Sequence, residues 1–119
     1  MTITILNQSA TIGGLQDKGT PARSLSQPPC RLSGIDVALE GAGSNKSGIW
    51  ECEPGRFERQ LANAEVMHIL TGDGTFTPTG GEALKIRAGD TLFFPANTTG
   101  EWHVVETLRK VYVVMAMPV

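Results

Sequence analysis

The pattern of apolar and polar positions divides the chain near residue 33. Residues 1–33 are rich in Ser, Thr, Gly, Gln and Pro, and "GTPARSLSQPPCRLSG" carries three prolines without a period. This segment reads as an extended arm or meandering loop, lying either on its own domain or on a partner subunit. Residues 34–119 read instead as a series of short strands. "IDVALE" is a strand candidate, followed by the flexible turn "GAGSNK" and by "SGIWECEPGRFER", which alternates and breaks at Pro54-Gly55. "EVMHILTG" and "GTFTPTGGEALKIRAGD" follow, with "TGDGT" between them reading as a turn. "PTGG" is a hairpin turn, since Gly80 and Gly81 can take the positive φ of tight hairpins. Leu84 and Ile86 alternate with Lys85 and Arg87, the pattern of a half-buried strand. "AGD" leads into the apolar run "TLFFPA", closed by Pro95. "GEWHVVE" and "RKVYVVMAM" then make two β-branched strands around a short turn, "ETL". No window carries a capped 3.6-residue stripe, and Gly/Pro turns recur about every 8–12 residues, which predicts an all-β sandwich or barrel.

Composition narrows this further. At 119 residues the chain fits one domain with one core, and its 40% hydrophobic and 18% charged content fits a folded protein with a modestly charged surface. A net charge of −2 gives no electrostatic reason to expect nucleic acid or an anionic membrane as a partner. No apolar run approaches the roughly 20 residues that span a bilayer. "MTITILNQSA" lacks the basic start and long apolar stretch of a secretory signal, so a cytoplasmic location is expected. Cys30 and Cys52 form no CxxC or Cys/His cluster, and two free thiols are expected in a reducing compartment.

Four segments in order carry a resemblance: "GIWECEPGRF", "EVMHILTGDGTFT", "GEALKIRAGDTLFFPANTTGEWHV" and "ETLRKVYVV", from Gly48 to Val114. Together they resemble the cupin superfamily, in particular the small single-domain cupins grouped with ureidoglycine aminohydrolases and ethanolamine-utilisation cupin domains. The resemblance implies a double-stranded β-helix (jelly-roll) barrel with a ligand cavity, assembled as a homodimer. It also implies a first motif with two histidines and a glutamate and a second motif with a third histidine. Such ligands on adjacent strands converge on a divalent ion such as Mn, Fe, Ni or Zn, which acts as a Lewis acid or activates water.

The match to those ligands is partial. Glu65 holds the glutamate position, seven residues before Gly72. The two histidine positions fall within "ERQLAN", which offers Glu58, Arg59, Gln60 and Asn63. Counting from Pro95 puts the third at Gly100, or at Glu101 or Trp102 if the loop is longer. Glu58, Gln60 and Glu101 have oxygen donors, a set suited to harder ions than imidazoles are. The expectation is therefore no cofactor, with a divalent metal as the alternative.

Strand parity sorts the remaining candidates. With Glu65 facing the cavity, Met67 and Ile69 face it too, while His68 points to the outer layer or a subunit contact. Only one of Trp102 and His103 can point inward, and the resemblance favours Trp102. A buried Glu65 carboxylate needs a partner, and Arg56, Arg59, Arg109 and Lys110 are the candidate cations. Lys110 and Tyr112 share a strand face, although most strand lysines are exposed. Glu65, Phe57, Met67, Trp102, Tyr112 and Lys110 are thus the expected cavity residues, and no catalytic residue is assigned. The leading expectation is a cupin that binds a small polar metabolite, with a degenerate metal site. The alternatives are a Mn-dependent enzyme like the ureidoglycine aminohydrolases and a non-catalytic dimeric accessory protein.

Overall fold

The structure, a computed structural model, describes residues 2–116. Eight strands make it up: β1 (Gln16–Gly19), β2 (Leu32–Val37), β3 (Lys46–Cys52), β4 (Gly55–Leu61), β5 (Ala64–Pro78), β6 (Leu84–Arg87), β7 (Thr91–Phe94) and β8 (Thr98–Met115). The described residues include no helix, hence none long and apolar enough to cross a membrane.

Two long strands, β5 and β8, run antiparallel through the whole molecule and belong to two sheets at once. The first half of β5 and the second half of β8 form one sheet, flanked by β7 on one side and by β3, β2 and β1 on the other. The second half of β5 and the first half of β8 form the other, flanked by β6 and β4. This is the jelly-roll barrel that the strand pattern and the resemblance predict.

Two expected turns are absent. "TGDGT" lies inside β5 and "ETL" inside β8, and the two stretches face each other where the register slips between Ile69 and Gly74. They are β-bulges that let each strand bend from one sheet into the other. Local chemistry marks both stretches as turns, but pairing across the bend keeps them in strand. Gly72 makes the bend possible: its φ is +91°, and a Cβ there would stand 2.2 Å from the carbonyl oxygen of Thr107. Gly72→Ala is expected to cost about 1–3 kcal/mol from backbone strain alone, to be read as a lower urea midpoint at unchanged slope. An unchanged midpoint would mean that the bend tolerates a side chain.

The turn of "PTGG" forms as expected, with Gly80 at φ +76° and the N–H of Gly81 donating to the carbonyl of Pro78 at 2.9 Å. Strand alternation then builds the core. Glu65, Met67 and Ile69 of β5 are buried, whereas Val66, His68 and Leu70 between them are partly exposed. On β8, Trp102 and Val104 are buried and His103 is exposed. His68 uses its Nδ1 in a 2.8 Å hydrogen bond with Thr91 Oγ1 on β7, outside the core. The barrel is filled by aromatic rings: Trp102 stacks on Phe94 (centroids 6.2 Å, interplanar 8°), and Phe76 meets Trp102 at 5.2 Å and Phe94 at 4.9 Å.

In the single chain the arm lies along its own barrel. β1 extends the sheet at β2, and Lys18 pairs with Asp36 at 2.8 Å. Ser24 bridges to Phe57, and the Leu25 N–H donates to the Arg56 carbonyl at 2.8 Å. Cys30 is buried beside Cys52, with the sulfurs 3.7 Å apart. Burial and the neighbouring Cys30 push the Cys52 thiol well above the usual cysteine range. Nearer the start, Arg109 donates from Nη1 to the carbonyls of Ser9 (3.0 Å) and Ile12 (2.8 Å), and pairs through Nε with Glu51 at 2.9 Å.

Candidate functional site

The charged centre of the barrel is one ion pair. Lys110 Nζ donates to Glu65 Oε2 at 2.8 Å, with the residues only 7% and 4% exposed. The two do not face each other across the ladder: Glu65 pairs with Val114 and Lys110 with Ile69. The lysine stem therefore reaches along the sheet past Met67, whose sulfur lies 3.5 Å from Nζ. Aromatic faces close round the ammonium, with ring centroids at 4.7 Å (Trp50), 5.7 Å (Tyr112) and 5.9 Å (Trp102). Burial pushes the Lys110 pKa below that of a free lysine, and Glu65 works against the shift. Of the four cations that could compensate Glu65, it is thus Lys110 that does so, and it is buried where most strand lysines are exposed.

That pair bears directly on a metal. Glu65 carries the one carboxylate in the family's ligand position, and its oxygen is already held by an ammonium. Glu101 is held by Arg56, at 2.8 Å from both Nε and Nη2. Glu58 and Gln60 are exposed and point away from Phe57 and Leu61, the buried residues of β4. At Gly100, a Cβ would come within 2.6 Å of the Phe76 ring and 2.4 Å of the Thr77 carbonyl oxygen, so no imidazole fits there. Among the described residues no three His, Cys, Asp or Glu side chains converge. The residues present do not fit the divalent ion that the barrel family implies, because their donors are paired, turned outward or displaced by a ring.

The open space lies at one mouth of the barrel. A pocket of about 880 Å³ is walled on one side by Gly34, Trp50 and Tyr112 of the larger sheet and on the other by Phe57 and Arg59 of β4. Its rim is closed by Lys18, Pro21, Ala22 and Arg23 of the arm and by the β5–β6 turn. Trp50 is half-buried and touches Phe57 at 6.3 Å between centroids, 56° apart in plane. Tyr112 is held un-ionised to higher pH than a free tyrosine, by burial first and then by the charges of Asp36 and Glu65. The charges at the rim are mostly neutralised: Lys18 with Asp36 at 2.8 Å, Arg23 with Glu58 at 3.8 Å, and Arg56 with Glu101. A second recess of about 130 Å³ is bordered by Arg59, Glu65 and Val114.

The six residues expected to line a cavity therefore separate. Phe57 and Tyr112 line the mouth pocket, and Glu65 lines the small recess. Met67, Trp102 and Lys110 stand in the packed interior behind the Trp50 wall. Sequence reasoning did not single out Trp50 or the arm residues on the rim. Trp50 had a signal, since it is an even step from Cys52 and Gly48 on an alternating strand. Arg59 enters the sequence reading as part of the "ERQLAN" window and as a cation for Glu65, not as a pocket residue, although it shares strand parity with Phe57.

Residues 39–112, more than half of the chain, match the EutQ-like cupin domain family. The chain matches no curated protein. Among solved structures, it is similar to a protein of unknown function of the DUF861 family from Pseudomonas syringae pv. tomato str. DC3000, at 22% identity and TM-score 0.77. That match covers 87% of this chain but 45% of the other, so the chain spans less than half of that relative's length. The Clostridium difficile EutQ protein matches at 18% identity and TM-score 0.65, over 78% of this chain and 75% of its own. A putative ethanolamine utilisation protein Q from Salmonella typhimurium LT2 matches at 19% identity and TM-score 0.63, over 87% and 98%. At such identities the likeness speaks for the fold. With the jelly-roll topology, the matched span and the surviving motif glutamate at Glu65, the chain belongs to the EutQ-like cupin domain family.

Proposed function

We propose that this cupin binds a small polar molecule at the barrel mouth rather than at a metal centre in the interior. The observation that carries the reading is the pocket of about 880 Å³ with Trp50, Phe57 and Tyr112 on its walls. That size and mixed lining suit a metabolite-sized ligand, with aromatic faces for contact area and a few polar groups for orientation. A ligand at a hundred times its Kd stabilises its host by about 2.7 kcal/mol, a shift that thermal denaturation resolves. Screening small polar metabolites should yield compounds that raise Tm, and Trp50→Ala should abolish their effect while Trp102→Phe keeps it. A screen without any stabilising compound would sink the reading.

For the assembly we propose a second copy of the chain, docked on the outer face of β7, β5 and β8. Phe93, 74% exposed, stands in one row with Val66 and Val113, and Thr91, His68 and Val111 form the next row. Neither row contains Asp, Glu, Lys or Arg, so the face needs no charged complement and can meet its own copy about a twofold axis. Light scattering on the purified protein at micromolar concentration should give twice the chain mass, and Phe93→Glu should give a folded monomer. A monomeric wild type would exclude this contact. We assign the protein to the cytoplasm, a reducing compartment in which the adjacent thiols of Cys30 and Cys52 stay unjoined.

A further inference from the structure

We infer that the ligand of the mouth pocket is a small monocarboxylate, its carboxylate taken by Arg59 and its planar or apolar body laid against Trp50 and Phe57. The inference rests on the mouth-pocket reading and adds the chemical class.

The charge balance of the pocket carries it. Of the cations that line the pocket, Lys18 and Arg23 each have an acidic partner, and Lys110 has Glu65 behind the wall. Arg59 also lines the pocket, yet it makes no ion pair among the described residues. Its direction follows from β4: it is two residues from Phe57 and two from Leu61, both buried, and so lies on their side of the strand. Opposite it on β8 is Gly100, which puts no side chain beside the guanidinium. Arg59 thus stands free where the barrel opens, with Lys110 close enough to feel its charge.

A guanidinium without an acidic partner makes an incoming anion favourable at that point. A guanidinium offers paired N–H donors that match a carboxylate in two parallel hydrogen bonds. Among the described residues Arg59 is the one pocket-lining cation without an acidic partner, while Asp36, Glu58 and Glu101 also line the pocket. A dianionic phosphate would bring its second charge towards those acids, so a monoanion is the better fit. Arg59 also borders the small recess that holds Glu65, but that recess is far smaller and its carboxylate is already taken by Lys110, which leaves the mouth side for the ligand. On that side Trp50 and Phe57 offer the apolar contact.

Benzoate, benzamide and inorganic phosphate serve as probes, titrated into wild type and Arg59→Gln and followed by amide and indole NMR shifts. Benzoate and benzamide share a shape and differ in charge. Benzoate should bind at least tenfold more tightly than benzamide and shift the Trp50 indole signal, and in Arg59→Gln the preference should fall to about one. Arg59 is exposed and unpaired, so an unchanged Tm will show that the variant is folded. Equal binding of benzoate and benzamide, or a preference that survives in Arg59→Gln, overturns the charge assignment and leaves the pocket standing. Phosphate binding more tightly than benzoate, with loss in Arg59→Gln, overturns the monocarboxylate class in favour of phosphate. If no probe binds but the metabolite screen finds other ligands, the class is wrong and the site is right. If both are empty, the site itself falls.

Discussion

Lys110→Met should destabilise the fold by about 3–5 kcal/mol, the usual cost of stripping the partner from a buried charge. Methionine keeps most of the stem that runs past Met67, so packing changes little and the loss isolates the electrostatics. What remains is the Glu65 carboxylate, 4% exposed and without its 2.8 Å donor. The double variant Glu65→Leu/Lys110→Met should return most of the stability, since apolar residues of similar volume often replace a buried pair without loss. Urea unfolding of wild type, Glu65→Leu, Lys110→Met and the double variant gives the coupling directly. If Lys110→Met unfolds within about 0.5 kcal/mol of wild type, in the range of ordinary surface changes, the pair is not the electrostatic centre described here.

Trp102→Ala should be comparably severe, at about 3–5 kcal/mol for a large aromatic removed from a core. Trp102 is the ring on which the interior is built. It lies flat on Phe94 and edge-on to Phe76, and sits 6.3 Å from Trp50. Its ring is also one of three around the Lys110 ammonium, at 5.9 Å, so its loss and that of Lys110 should not add independently. Trp102→Phe should recover much of the loss, since a ring stays between Phe76 and Phe94. Loss of near-UV circular dichroism together with a lowered urea midpoint is the expected observation. A midpoint unchanged in Trp102→Ala would mean that the interior relaxes around the gap.

How far the chain could be read depended on whether a residue's neighbours lie along it or across it. Alternation is a local property: it puts Glu65 and His68 on opposite faces, and Trp102 and His103 likewise, with the resemblance choosing Trp102 as the inward one. The missing histidines were also visible, and the structure adds why one cannot be restored: the Phe76 ring occupies the space a side chain at Gly100 would need. The bend at "TGDGT" reads as a turn because Gly and Asp have turn chemistry wherever they occur, and "ETL" does so because it interrupts a β-branched run. Only their mutual pairing makes them bulges. The choice of Lys110 over three arginines was equally hidden, because it depends on a diagonal reach across strands. The role of Arg59 depends on Gly100 opposite it, forty-one positions later in the chain (100 − 59). The mouth pocket needs the arm as its rim, and nothing periodic in residues 18–23 announces that.

Because β5 and β8 each serve both sheets, neither sheet has a complete set of its own strands. Residues 46–61 pass along β8 as two consecutive partners, β3 on its second half and β4 on its first. Separating β4 from the barrel therefore loosens the same strand that holds β3, and the bulge at Gly72 carries the disturbance from one half to the other. Cooperativity is built into the connectivity. The barrel should melt as one unit, with a probe near Trp102 and one near Met67 reporting the same transition, and a ligand that bridges Trp50 and Phe57 would tighten both halves together.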